Sequence, residues 1–141
     1  SFPTRRSSDL QIAGMLAGDG ITLRSTTEYM RACCDAVENK FIGNTTLAVV
    51  ITNAHFDKTG LCKIAGMAHD GYARSIRPIH TSADGDTIYA VSLGDVEADQ
   101  DLTGTLAAEV VSEAITRAIL NAESAYGHPS AAEILDIRRG K

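Results

Sequence analysis

Two runs of consecutive apolar residues stand out along the chain: Leu47-Ala48-Val49-Val50-Ile51 and Ile88-Tyr89-Ala90-Val91. Apolar side chains on both parities, rather than on alternate positions, predict strands covered from both sides. The first strand is expected over Thr46 to Thr52 and the second over Asp86 to Leu93, with Gly94-Asp95 as its punctuation. Between them the period changes. After a turn over Asn53 to Asp57, Leu61, Ile64, Ala65, Ala68, Tyr72 and Ile76 recur at spacings of three and four, which predicts a helix from Lys58 to about Ile76. Pro78 ends it, because a proline ring disfavours helical geometry in the residue before it, and a loop follows from Arg77 to Gly85.

Asp101 is the expected N-cap of a long helix running to about Ser124, with Leu106, Val110, Ala114, Ala118 and Ala122 as its apolar stripe, widened by Val111, Ile115 and Ile119. Tyr126-Gly127-His128-Pro129-Ser130 stops this helix, and the rest reads as a short surface tail. Upstream, Ser25-Thr26-Thr27-Glu28 carries the signals of a helix start, so a short helix is expected from about Thr26 to Val37. Residues 11 to 24, with Gly14, Gly18 and Gly20, read as a loop or the tail of a strand, and Asn39 to Asn44 as a second loop. The order strand, helix, strand, helix places the chain in the mixed α+β/αβ class, with helices packed on a sheet.

The first ten residues, Ser1 to Leu10, fit none of this. They resemble the translation of a common sequencing adapter and have no apolar core of a signal peptide, so they are set aside as non-native. The native protein is then expected to continue upstream. The composition of the whole 141-residue chain adds exclusions: 44% apolar residues suit a globular domain, and a net charge of −5 with no Lys/Arg run argues against a nucleic-acid partner. No stretch approaches the roughly 18 apolar residues of a membrane span. Cys33, Cys34 and Cys62 form no CxxC pair, so zinc spacing is missing; an odd count with a vicinal pair fits reduced thiols in a cytoplasm. No metal or other cofactor is expected.

Chemistry concentrates at the starts of the two strands. Asn44-Thr45-Thr46 stands before the first and Asp84-Gly85-Asp86 before the second, so a hydroxyl and two carboxylates can meet at one sheet edge. Taken alone, Thr45 is an ordinary β-branched residue opening a strand, and Asp-Gly-Asp-Thr an ordinary polar turn. Together they suit a threonine nucleophile freed by self-cleavage. Attack of the Thr45 hydroxyl on the Asn44 carbonyl, followed by ester hydrolysis, leaves Thr45 as a new N-terminus. Its α-amine, with a pKa of about 7.7–8.0, then serves as base near neutral pH. Asp84 and Asp86 orient hydroxyl and ammonium, with Gly85 allowing a sharp turn between them. The oxyanion donors such a reaction needs are not readable from the sequence. His80 and Arg77 are candidates to line the substrate site, with Arg74 nearby; pairing of the arginines with the aspartates is the plainer alternative. His55, His69 and His128 read as structural, lacking any HxxxH or HExxH spacing. A thiol hydrolase built on Cys33 or Cys62 is the weaker chemistry, since a cysteine in the helix beside Leu61 reads as a buried inert thiol.

Gly43 to Ala54 resembles the self-cleavage segment of the P1 family of peptidases, which takes in aminopeptidase/D-esterases, β-peptidyl aminopeptidases and nylon-oligomer (6-aminohexanoate oligomer) hydrolases. Ala68 to Arg74, Ile76 to Thr81 and Asp84 to Thr87 resemble it too, so that the similarity covers about residues 40 to 130. It matches Thr45 to the nucleophile, Asn44 to the residue before the cut, and Asp84 and Asp86 to the acidic partners of the nylon-oligomer hydrolase branch. The aminopeptidase branch tends instead to a serine nucleophile and Ser-Gly-Glu. The resemblance implies an N-terminal-nucleophile αββα sandwich in which residues 11–44 end the N-terminal piece and residues 45–141 form the C-terminal piece. It further implies a homo-oligomer, a small linear amide or peptide substrate, and a lysine and an asparagine supplied from upstream. An acyltransferase that self-cleaves before threonine, and a non-catalytic scaffold of the same fold, are the rival readings.

Overall fold

The computed structural model describes residues 11–33, 45–82 and 84–140. Cys34 and Asn44, and with Asn44 the expected scissile bond, lie outside the described residues. The chain forms α1 (Thr26–Ala32), β1 (Leu47–Ala54), α2 (Lys58–Ser75), β2 (Thr87–Val96), α3 (Gln100–Asn121) and α4 (Ala131–Arg139). These residues divide into two compact units, one of residues 45–82 and 84–114, the other of residues 11–33 and 115–140.

The first unit is a β-α-β arrangement. β1 and β2 pair in parallel, with Leu47 opposite Thr87 and the register held through Thr52 opposite Ser92. Parallel neighbours need a long crossover, and α2 supplies it. The register then shifts before Ala54 meets Val96, so Gly94-Asp95 does not end the strand as the composition suggests; β2 passes straight through. A side chain at position 94 would run into the backbone of Asn53. Gly94 is thus the residue that lets the two backbones close up at an irregularity in the ladder.

α2 starts on Asp57, whose carboxylate accepts from Gly60 N (2.8 Å), and buries Gly60, Ile64, Ala68, Gly71 and Tyr72. It ends at Ser75, two residues before the cis Arg77–Pro78 bond. Its stripe matches the sequence pattern at Ile64, Ala68 and Tyr72. α3 matches at Val111 but not along the rest of its expected stripe: Leu106 and Val110 are exposed, and Gly104, Ala107 and Ala108 are buried instead. Small residues explain the rotation. A β-carbon on Gly71 would fall 2.5 Å from Ala108 O and 2.8 Å from Val111 Cβ, and one on Gly104 would strike the Met67 side chain. The two helices approach so closely that Gly71 and Gly104 must be glycine, each facing a larger side chain of the other helix, while Leu106 and Val110 are left outward. Ser75 Oγ adds hydrogen bonds to Ser112 O (3.2 Å) and Ser112 Oγ (2.8 Å). Gly71→Ala is therefore expected to lower stability by about 1–3 kcal/mol through overpacking, outweighing the ~1 kcal/mol that alanine contributes in a helix. Chemical denaturation of the two proteins measures this.

The N-cap of α3 is Asp99 and not Asp101. The Asp99 carboxylate accepts from Leu102 N (2.7 Å) and its carbonyl from Thr103 N (3.0 Å). Two aspartates stand at capping distance from the same turn, and the earlier one takes the free amide. Cys62 is exposed on α2, not buried.

The sheet departs most from expectation. Only one of its faces is covered among the described residues. Leu47, Val49 and Ile51 of β1 and Tyr89, Val91 and Leu93 of β2 are exposed, from 36% to 72%. The parity that carries Ala48, Val50, Ile88 and Ala90 is the less exposed one.

In the second unit, Asp19 closes a turn by accepting from Ile21 N and Thr22 N, and Leu16 forms an isolated antiparallel bridge with Leu23. α1 ends at Ala32 with its C-cap at Cys33, short of the expected Val37. The expected surface tail is a helix: Ser130 caps α4 by accepting from Glu133 N, and Ala131 and Ile134 are buried. Ser-Ala-Ala-Glu followed by Ile134 and Ile137 is a helix-start signature visible in the sequence. No helix of the described residues is long and apolar enough to cross a membrane.

Candidate active site

Parallel pairing puts the first residues of β1 and β2 at the same end of the sheet. The residues singled out before each strand therefore become neighbours across it. Thr45 is exposed and lies one step before the ladder; its Oγ would be 2.8 Å from a β-carbon built on Gly85. Gly85 does not adopt a positive φ, so a sharp turn is not what it provides. It provides clearance: any side chain there would push the Thr45 hydroxyl away.

The two carboxylates have different partners. Asp84 Oδ2 accepts from Thr81 N (2.7 Å) and Thr81 Oγ1 (2.8 Å), while Asp84 N donates back to Thr81 O (3.1 Å). This closed pair shapes the loop that leads into β2. Asp86 has its side chain 4% exposed. Its Oδ1 accepts from Thr46 N (2.9 Å) and its Oδ2 from His80 N (3.4 Å), and His80 Nδ1 lies 3.6 Å from the same oxygen. Asp86 thus ties the residue after Thr45 to the 77–85 loop. Hydrogen bonds to a carboxylate are roughly twice as strong as neutral ones, and the one from His80 N helps hold His80 at φ +58°, a left-handed conformation that costs a residue with a β-carbon about 1–2 kcal/mol.

Of the residues expected to line the site, His80 joins it through Asp86. Arg77 and Arg74 are exposed, and among the described residues the basic side chain beside Asp86 is His80. Three participants escape the sequence reading. Thr46 contributes only backbone groups. Tyr72 reads as one more apolar position on a helical stripe, yet its buried hydroxyl lies 3.2 Å from both Thr46 O and Thr87 O. Burial first, and Asp86 second, push the Tyr72 hydroxyl above its ordinary pKa, so it stays a proton donor.

His69 is the third. Its ring stands edge-on to Tyr72 (centroids 5.3 Å) and tilted on His80 (4.8 Å), with a buried Nδ1 that has no partner among the described residues. Burial, then the neighbouring His80, lower its pKa below 6.5, against the opposing pull of Asp86 and Asp70. The folded protein therefore resists protonating His69 where the unfolded chain accepts a proton. Its stability is full above pH 6.5 and falls as the pH drops through and below that value. His69→Leu is expected to flatten the acid side of a plot of melting temperature against pH. Parallel plots for the two proteins would exclude His69 as a source of acid sensitivity.

Comparison with known proteins adds to this geometry. A sequence model described as Peptidase family S58 matches residues 4–132. An uncharacterized aminopeptidase of Mycobacterium leprae is 36% identical over 102 residues, covering 62% of this chain and 28% of the relative. A 6-aminohexanoate-oligomer endohydrolase of Paenarthrobacter ureafaciens is 32% identical over 116 residues (72% of this chain, 33% of the relative). A putative NylC-analogous protein of Agromyces sp. is 32% identical over 116 residues (72% and 38%). The chain thus spans about a third of the length of the curated relatives it matches. The resemblance to a peptidase family holding aminopeptidases and nylon-oligomer hydrolases is borne out by these matches.

Proposed function

The chain belongs to peptidase family S58, and from that premise we propose that its protein is an amide hydrolase whose nucleophile is Thr45, freed by self-cleavage after Asn44. One observation carries the reading: Thr45 Oγ sits over Gly85, the residue that separates Asp84 from Asp86 in the sequence, while Asp86 grips the amide of the next residue. In the cut protein the Thr45 hydroxyl attacks a substrate amide carbonyl. The Thr45 α-amine takes the hydroxyl proton and passes it to the departing amine. The resulting acyl-threonine ester is hydrolysed by water, which restores the hydroxyl and releases the acid.

The cut itself runs without the Thr45 α-amine, which is still an amide nitrogen. The Thr45 hydroxyl attacks the Asn44 carbonyl, and the Asn44–Thr45 C–N bond breaks as the proton passes to the nitrogen. Water hydrolyses the resulting ester, leaving the Asn44 carboxylate and the free Thr45 α-amine. Asp86 acts in this scheme by holding the backbone at Thr46, and Asp84 by ordering the loop that carries His80 toward it. The proposed substrates are small linear amides or peptides, with 6-aminohexanoate oligomers among them on the strength of the relatives' names. The exposed apolar face of the sheet supports a second sheet packed against it in the whole protein, giving the αββα sandwich.

Intact-mass measurement of the full-length protein tests the proposal together with an assay for amine release from such oligomers. Two pieces divided before Thr45, with turnover, are expected. A single uncut chain without turnover would instead identify a scaffold.

A further inference from the structure

An N-terminal nucleophile has a mechanical problem. Once the chain is cut, nothing upstream holds Thr45, and its position depends on the peptide link to Thr46 and on what anchors Thr46. Both backbone polar groups of Thr46 are held. Its N–H donates to Asp86 Oδ1 (2.9 Å). Its carbonyl accepts from Thr87 N (2.9 Å) and faces the Tyr72 hydroxyl at 3.2 Å. The same hydroxyl lies 3.2 Å from Thr87 O, so one buried group on α2 spans the first residues of both strands. The Tyr72 side chain is fully buried, with its ring edge against His69. Its reach is therefore fixed by packing and not by rotation of a free side chain.

We propose that Tyr72 is a positioning residue for the Thr45 nucleophile, acting through the Thr46 carbonyl to keep the Thr45 hydroxyl over Gly85. The inference rests on Thr45 being the nucleophile. Tyr72 touches no reacting atom. It sets the height of the β1 terminus relative to β2, and a displacement of about 1 Å at a reacting group costs on the order of 100-fold in rate.

The test uses the full-length protein and three variants. Tyr72→Phe keeps the ring and removes only the hydroxyl. Ser75→Ala, one turn further along α2, removes a hydroxyl that bonds Ser112 and serves as the structural control. Thr45→Ala tests the premise. Self-cleavage rate, kcat and KM are measured per folded molecule. Tyr72→Phe is expected to slow self-cleavage and lower kcat about tenfold at unchanged KM, as befits loss of one of three anchors. Ser75→Ala is expected to lose stability without change in kcat. If Ser75→Ala lowers kcat as much as Tyr72→Phe does, the effect is general loosening and the proposal falls. If Thr45→Ala is inert while Tyr72→Phe matches the parent, the positioning role alone is overturned. Should Thr45→Ala still cut itself and turn over, the nucleophile assignment fails and takes this inference with it.

Discussion

Replacing Thr45 with alanine is expected to leave the full-length protein as one uncut chain and to remove amide turnover by at least about 10⁴-fold, the scale on which nucleophile deletions act. The alanine keeps the backbone and loses only the hydroxyl and the methyl of an exposed residue, so the fold should survive. Serine at the same position retains the hydroxyl and, once cut, the α-amine. Thr45→Ser should therefore restore both processing and turnover. A Thr45→Ala protein that appears as two pieces by mass would mean that the cut lies elsewhere, and the site would have to be sought on another residue.

The second large effect is expected at Asp86. In Asp86→Asn the shape is kept, but one carboxylate oxygen becomes an amide nitrogen. The residue faces N–H donors on both sides, from Thr46 and from His80. One of these contacts must turn donor against donor, and the charge is lost from both. Hydrogen bonds to a charged group contribute about 1.5–3 kcal/mol. If that stabilisation is what holds Thr46, and with it Thr45, the loss corresponds to about one to two orders of magnitude in rate at ~1.4 kcal/mol per tenfold. Self-cleavage and turnover should slow together, since both use the same hydroxyl. Rates equal to those of the parent would remove Asp86 from the site. The corresponding change at Asp84 is expected to be milder, because its contacts are to Thr81 within its own loop.

Much of this could be anticipated from local pattern. Runs of apolar residues marked both strands, and three-and-four spacing marked α2 and most of α3. Hydroxyl and acid residues before the strands marked the candidate site. Local information was also present for α4, whose Ser130 and Glu133 form a capping signature, and for Asp99 as the cap of α3. Those were matters of reading, since a cap is a contact between residues three apart.

Other features depend on residues far apart in the chain, and no periodicity carries them. Gly85 and Gly94 read as turn and punctuation, yet each is glycine because another segment passes close by: the Thr45 side chain in one case, the Asn53 backbone in the other. The buried face of α3 follows from how nearly Gly71 and Gly104 let it approach α2, a property of two helices and not of one. Tyr72 looked like one member of a helical stripe, and His69 like a structural histidine. Their place beside Asp86 exists only because β1 and β2 pair in parallel at one register. The amino-acid order alone thus carried the signals for helix and strand, and named the side chains proposed for the chemistry. Packing settled which of those side chains meet, because a hydrogen bond spanning forty residues needs the whole β-α-β unit in place before donor and acceptor come within 3 Å.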